Sequence, residues 1–265
     1  MINANGKVEA RHNAILQMLN SNDSVSVAEL CEKTGCSEST IRNDLVLLER
    51  RGELLRTFGG AKKTAATPYN LQEWNARRTA YQAEKRAIAR YVVRNILVPN
   101  SVVIIDAGTT GFELAKAIAE SEVPLTVLTN SAQAAMALLP KSEDINLFLF
   151  GGMYNPVRAA FYDGHLEHVL REMRANTYFM TANGISADFG LTISGMEEAR
   201  IKRQMMEVSA ETVVLADHSK IGCNLLKRVA DCSEVSGIVT DEGAGEQALK
   251  QLGQCNVRTW IAPLI

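Results

Sequence analysis

The sequence predicts a two-part α/β protein: a small helical unit closed by a short β-hairpin, then a larger unit in which strands and helices alternate. Three observations support this. A chain of 265 residues suits two domains at about 150 residues each. Residues 8–63 carry helical periodicity and end in a glycine-centred hairpin, and short apolar runs recur from about Tyr81 onward with helical stretches between them. Apolar residues make up 46% of the chain, with charges of both signs interspersed, as in an ordinary globular protein.

In the first unit, Ile15, Leu16 and Leu19 recur at helical spacing in a helix from about Val8 to Asn20. Ser24-Val25-Ser26 reads as a short extended turn, with Ser26 placed to cap a second helix over Val27–Thr34. Gly35 stops that helix, Ser37 or Glu38 opens a third running to about Arg51, and Gly52 ends it. Glu53–Phe58, Gly59-Gly60 and Ala61-Lys62-Lys63 then read as strand, turn and basic return. Residues 1–63 are therefore taken as one domain. The aperiodic 64–76, with Pro68, reads as a linker, and 77–265 as the second domain.

That second domain holds the apolar runs 102–106, 125–129, 145–150, 178–180, 212–216, 237–240 and 257–261. Continuous apolar strands between helices imply a largely parallel sheet covered on both faces.

Several classes are disfavoured at once. A formal charge of −2 does not advertise nucleic acid, so any such binding must come from a local patch. No apolar run approaches the roughly 20 residues of a membrane span, and the polar start Met1–Gly6 does not read as a signal peptide, so the expected location is the cytoplasm. The five cysteines are scattered without zinc spacing; Cys31 and Cys36 read as buried thiols rather than half a metal site. No metal or cofactor is expected.

The third helix carries the first candidate site. Ile41, Leu45 and Leu48 share the inward face, while Ser39, Arg42, Asn43 and Val46 fall near the opposite one, with Thr40 and Asp44 on the flanks. A helix of this width fits the major groove of double-stranded DNA. Arg42 matches guanine O6 and N7, Asn43 matches adenine N6 and N7, and Ser37, Ser39 and Thr40 suit phosphate or a base. Arg56 in the wing and Lys62-Lys63 beyond it suit the flanking phosphates. Three helices followed by a basic hairpin make a winged helix-turn-helix.

The second candidate site lies at strand ends. Asp106-Ala107-Gly108-Thr109-Thr110-Gly111 joins a strand to a helix, and glycines there let backbone N–H groups and threonine hydroxyls approach an anion. Thr129-Asn130-Ser131 occupies the same position after the next strand, and Gly151-Gly152 follows a third. In parallel α/β sheets such loops border the ligand crevice. Lys202 sits on a mostly small or apolar stripe of a helix read as Met196–Ala210, so it either snorkels to water or meets a buried anion. Asp217-His218-Ser219-Lys220 closes the same crevice or is a capped polar loop.

Both sites resemble the DeoR family of bacterial regulators. The resemblance runs through Val25–Leu30, Cys36–Leu45, Leu48–Gly52 and Arg56–Ala61, then Asp106–Thr110, Leu125–Ser131, Gly151-Gly152, Gly184-Ile185, Gly190–Thr192, Ala199–Lys202 and Asp217–Lys220. It implies an N-terminal winged helix-turn-helix and a larger ribose-5-phosphate-isomerase-like (NagB/RpiA/CoA-transferase-like) α/β sensor domain. It implies a sugar-phosphate effector, operator DNA as partner, a homo-oligomer (dimer or tetramer), and repression of a carbohydrate-catabolism operon. Effector contacts are expected at Asp106, Gly108, Thr109, Thr110, Thr129, Asn130, Ser131, Gly152, Gly184, Lys202, Asp217 and Lys220. Thr40–Leu45, Phe161–Gly164 and Glu197–Arg200 resemble the regulators of N-acetylgalactosamine and galactitol use. Asn43, where many members carry arginine, and His218, where serine or threonine is more usual, depart from the pattern.

Two rival readings remain open to test. One is a sugar-phosphate isomerase or deaminase, for which Asp106, Glu198 and Asp217 are the positional candidates for a base; no catalytic residue is assigned. The other is a positive regulator or architectural DNA binder that ignores metabolites.

Overall fold

A computed structural model describes residues 24–50, 54–57, 59–62, 71–141, 143–164 and 166–264, together with residues 8, 11, 12, 14–16, 18, 19 and 22. The chain divides into two compact units, Met1–Gln72 and Glu73–Ile265.

In the first unit the described residues between Val8 and Leu19 are helical. Strand β1 (Ser24–Ser26) leads into helix α1 (Val27–Thr34). Ser26 Oγ accepts from Glu29 N at 3.2 Å while Ser26 N donates to Glu29 Oε2 at 2.7 Å, a reciprocal cap that satisfies two donors at the helix start. Gly35, at φ +67°, ends α1 in the left-handed region glycine tolerates. Helix α2 spans Glu38–Arg50, and β2 (Leu55–Thr57) pairs with β3 (Gly60–Lys62). Ser24–Ser26 is more than an extended turn: it adds to β3 as a third antiparallel strand. That pairing explains Gly60, where a Cβ would stand 2.0 Å from Val25 O. Ile15, Leu19, Leu30, Ile41, Leu45, Leu48 and Leu54 form the core beneath. Cys31 and Cys36 are free, half-buried thiols packed against it. Gly52, Phe58, Lys63 and most of the expected linker lie outside the described residues. Residues 71–76 of that linker are helical instead, as part of α3 (Leu71–Thr79).

The second unit continues with α4 (Gln82–Asn95), β4 (Val102–Ile105), α5 (Thr109–Ala119), β5 (Leu125–Thr129), α6 (Ala132–Leu138) and β6 (Ile145–Leu149). A hairpin β7 (Met153–Asn155) and β8 (Ala160–Tyr162) follows, then α7 (Leu166–Arg171) and β9 (Ala175–Thr181). After β10 (Gly184–Ser186) and β11 (Gly190–Ile193) come α8 (Met196–Glu207), β12 (Ser209–Leu215), β13 (Lys227–Ala230), β14 (Gly237–Asp241), α9 (Glu246–Gln254) and β15 (Thr259–Ala262). Helix α8 stops before Ala210 because Ser209 already pairs with Ala175, and the β-branched Thr212-Val213-Val214 continue that ladder.

Seven strands form one parallel sheet, ordered β15-β14-β12-β9-β4-β5-β6. Alternate residues feed two cores: Ile104, Tyr178, Met180 and Val214 face one side, and Val103, Ile105, Phe179 and Val213 the other. The chain winds outward in opposite directions from β4 and β9, which are neighbours. The crevice outside their C-terminal ends is thus the topological switch point, where ligands of open α/β sheets bind. It is bordered by Asp106 after β4 and Thr181 at the end of β9.

Candidate nucleic-acid interface and anion cleft

On α2, Arg42 and Asn43 are exposed while Ile41, Leu45 and Leu48 are buried. Ser37 precedes the helix with its Oγ 3.0 Å from Ser39 Oγ and 2.9 Å from Thr40 Oγ1. Arg42 Nη2 lies 3.2 Å from Glu38 Oε2, one helical turn back, in a solvent-exposed pair worth little; its guanidinium can leave Glu38 for a base edge at small cost. Arg56 in β2 and Lys62 in β3 are exposed as well, Arg56 Nη1 lying 3.8 Å from Glu49.

Asp44 is not a flanking surface residue. It is 3% exposed, and its carboxylate receives Arg11 Nε, Arg11 Nη2 (3.0 Å) and His12 Nε2 (3.1 Å) from the first helix. Burial pushes this carboxyl up, but the hydrogen bonds from Arg11 and then His12 prevail and hold it below the ordinary range. The pair thus fixes α2 against the first helix, which sets the angle at which Arg42 and Asn43 are presented.

In the second unit, the loop after β4 brings three predicted residues to one cleft. Gly108, Thr109 and Thr110 line it together with Ala107, Thr181, Ala182, Asn183 and Lys220. Gly108 is the N-cap of α5 and offers no side chain, so the first amides of the helix have no side-chain cap. A Cβ at Gly108 would come within 2.9 Å of three Thr181 side-chain atoms. Glycine is required here for close approach.

Asp106 forms the floor rather than a contact surface. It is 2% exposed and receives Tyr178 Oη at 2.6 Å, Thr181 N at 3.1 Å, Thr181 Oγ1 at 2.8 Å and the Lys202 ammonium. Burial, then the charge of Asp106, drives the Tyr178 phenol well above its ordinary range. Lys202, also 2% exposed, donates to Thr181 O at 2.8 Å. Of the two readings offered for this lysine, snorkelling is excluded: the anion it meets belongs to the chain itself.

The other predicted residues divide similarly. Asn130 accepts from Ala107 N (3.2 Å) and donates to Phe161 O (3.3 Å), tying the loop after β4 to β8. Thr129 donates to Ile105 O, and Ser131 caps α6 through Ala134 N. Asp217 is fully buried and receives Ser219 N. Gly152 (φ +128°) and Gly184 lie where a Cβ would meet backbone at 2.4 and 2.3 Å. Thr129, Ser131, Gly152, Gly184 and Asp217 are not among the residues that line this cleft.

Several cleft residues escaped the sequence reading: Arg77, Tyr81, Lys85, Thr181 and Asn183. Lys85 is 2% exposed, and its ammonium is spent on the carbonyls of Arg77 (2.6 Å) and Ala80. Burial lowers the pKa of both Lys85 and Arg77. Lys85 had a legible signal: it precedes Ile88, Ala89 and Val92 at i+3, i+4 and i+7, the apolar stripe of α4. The cleft holds about 110 Å³, below the roughly 300 Å³ of a typical small-molecule pocket.

A winged helix-turn-helix on the same chain as an α/β unit with a largely cationic switch-point cleft defines a DNA-binding regulator with a small-molecule sensor. The pattern of the DeoR-like helix-turn-helix domain matches residues 11–67, and that of the DeoR C terminal sensor domain matches residues 80–242. The chain belongs to the DeoR family. It is 31% identical to a protein of Escherichia coli O157:H7 named "Putative aga operon transcriptional repressor", over 93% of this chain and 91% of that one. It is equally 31% identical to the L-fucose operon activator of Haemophilus influenzae, over 94% and 98%. Among solved structures it is similar to ribose 5-phosphate isomerase A from Methanocaldococcus jannaschii, at 19% identity and a TM-score of 0.39, over 56% of each chain. Among the described residues, no helix is long and apolar enough to cross a membrane.

Proposed function

We propose that this protein is a cytoplasmic repressor of a carbohydrate-catabolism operon, released from operator DNA by a phosphorylated sugar or amino sugar. The observation that carries this is the uncapped start of α5 at Gly108–Thr110, facing a cleft that also gathers Arg77, Lys85 and Lys220. Helix-start amides hold a phosphate directly, and Arg77 and Lys85, whose donors already bond chain carbonyls, would favour it through their charge. The exposed Arg42 and Asn43 read bases, Ser37, Ser39 and Thr40 contact the strand they enter beside, and Arg56 and Lys62 meet phosphates. A homo-oligomer, dimer or tetramer, would match repeated half-sites.

Catalysis is not part of this reading. An isomerase needs a carboxylate free to take a proton; Asp106 is occupied by Tyr178, Thr181 and Lys202, whereas Glu198 keeps an oxygen free of hydrogen bonds, so assaying for turnover decides the point. Asp217 is fully buried and does not line the cleft. Operator fragments, selected from genomic DNA by the purified protein, are titrated with hexose, pentose and amino-sugar phosphates while anisotropy is read. Release by about 5- to 150-fold is expected for one of them, with no conversion of the sugar by NMR. Tightening in place of release would make the protein an activator, as the Haemophilus relative is named. Silence across the panel, or turnover, would refute the sensor reading.

A further inference from the structure

The cleft has a second end. Glu198, on the first turn of α8, lines both the anion cleft and a small space beneath it walled by Asp106, Asn130, Tyr162 and Lys202. Glu198 is nine-tenths buried. Arg158 Nε stands 3.4 Å from Oε2, and Lys202 Nζ stands 3.8 Å from Oε1. The first contact lacks hydrogen-bond alignment and the second is too long for a hydrogen bond, and Oε2 is buried with no hydrogen-bond partner among the described residues. Lys202 is committed to Asp106 and Thr181 and Arg158 Nη2 to Ser194 Oγ, while Arg158 Nε meets Oε2 as an ion pair without hydrogen-bond alignment. A buried carboxylate oxygen in a protein interior ordinarily accepts a hydrogen bond, because leaving it bare is costly. Here the oxygen belongs to a residue that lines the cleft itself.

We infer that Glu198 is a specificity-determining residue that accepts a hydrogen bond from a hydroxyl of the effector, so the ligand is a polyhydroxylated phosphate monoester rather than a simple phosphate. This rests on the sensor reading above. Charge supports a neutral donor over an ammonium. Arg77, Lys85 and Lys220 against Glu198 leave the lining two positive charges in excess, which a phosphate dianion alone balances.

The test is calorimetry on the full-length protein with three probes: inorganic phosphate, propyl phosphate, and a set of hexose and pentose monophosphates. Propyl phosphate offers the same anion without hydroxyls. The parent protein should prefer its best sugar phosphate over propyl phosphate by about 10- to 150-fold, the range of a hydrogen bond to a charged group. In Glu198→Ala and Glu198→Gln that preference should collapse to about threefold or less, while the propyl phosphate Kd moves by less than about twofold. Circular dichroism and operator binding confirm that each variant is folded. A variant that keeps the preference overturns the inference and leaves Glu198 satisfied by water. Equal loss for both ligands also overturns it, since the residue would then be structural. If simple phosphates bind but no sugar phosphate binds better, this inference alone falls. If no phosphate binds at all, the sensor reading falls with it.

Discussion

Replacing Lys202 by methionine removes one half of a buried ion pair and leaves the other half in place. Both side chains are 3% exposed, so solvent does little to screen them. Breaking such a pair costs about 3–5 kcal/mol, because an uncompensated charge remains inside. For a unit the size of Glu73–Ile265 each kcal/mol lowers Tm by about 2–4 °C, so Lys202→Met should lose roughly 6–20 °C. The double variant Asp106→Asn/Lys202→Met removes both charges and should recover much of that loss, with a coupling of about 0.5–3 kcal/mol. Scanning calorimetry of the full chain reads this directly, provided the sensor transition is followed separately from that of the DNA-binding unit. Below the lowered Tm, Lys202→Met should still bind operator but respond weakly to effector, since Lys202 also holds Thr181 against Gly108. A variant that melts within about 1 °C of the parent, with a double variant no more stable, would refute the assignment of this pair as the floor of the site.

Gly108→Ala should weaken effector response at least tenfold without weakening operator binding, because the new methyl displaces Thr181 from the cleft wall; anisotropy titrations of both ligands check this. Arg42→Ala should cost about 1–3 kcal/mol at a single base-pair position, whereas Lys62→Ala should weaken all sequences alike and reduce the salt slope by about one; binding to a panel of operator variants at several salt concentrations separates the two. Asp44 has a native pKa below its unfolded value, so its contribution is complete above about pH 4 and is lost as pH falls through the lowered native value. Acid unfolding of the DNA-binding unit should therefore be shallower in Asp44→Asn than in the parent, and the variant should be less stable at pH 7 by about 1.5–3 kcal/mol.

The strands of the main sheet were legible because each is a short apolar run between helices, and buried parallel strands need both faces apolar. The small strands β7, β8, β10, β11 and β13 were not, because three or four residues carry too little periodicity to separate a ladder from a loop. The same limit hid β1: Ser24–Ser26 becomes a strand only because Gly60 lets the wing come within contact of it.

Site residues followed a different rule. The backbone of the cleft was readable from Gly108, Thr109 and Thr110, since their chemistry is local to one strand-to-helix turn. What the turn meets was not, because Thr181 and Lys202 lie 75 and 96 residues from Asp106 and reach it only through strand order. Lys202 marks the boundary between these cases. Its position on an apolar stripe correctly announces a buried charge, yet periodicity says nothing of whether the counter-charge is a ligand or another part of the chain. Asp106 answers that, and our inference places the ligand-facing role one turn earlier on the same helix, at the carboxylate of Glu198, whose buried Oε2 meets Arg158 as an ion pair but accepts no hydrogen bond among the described residues.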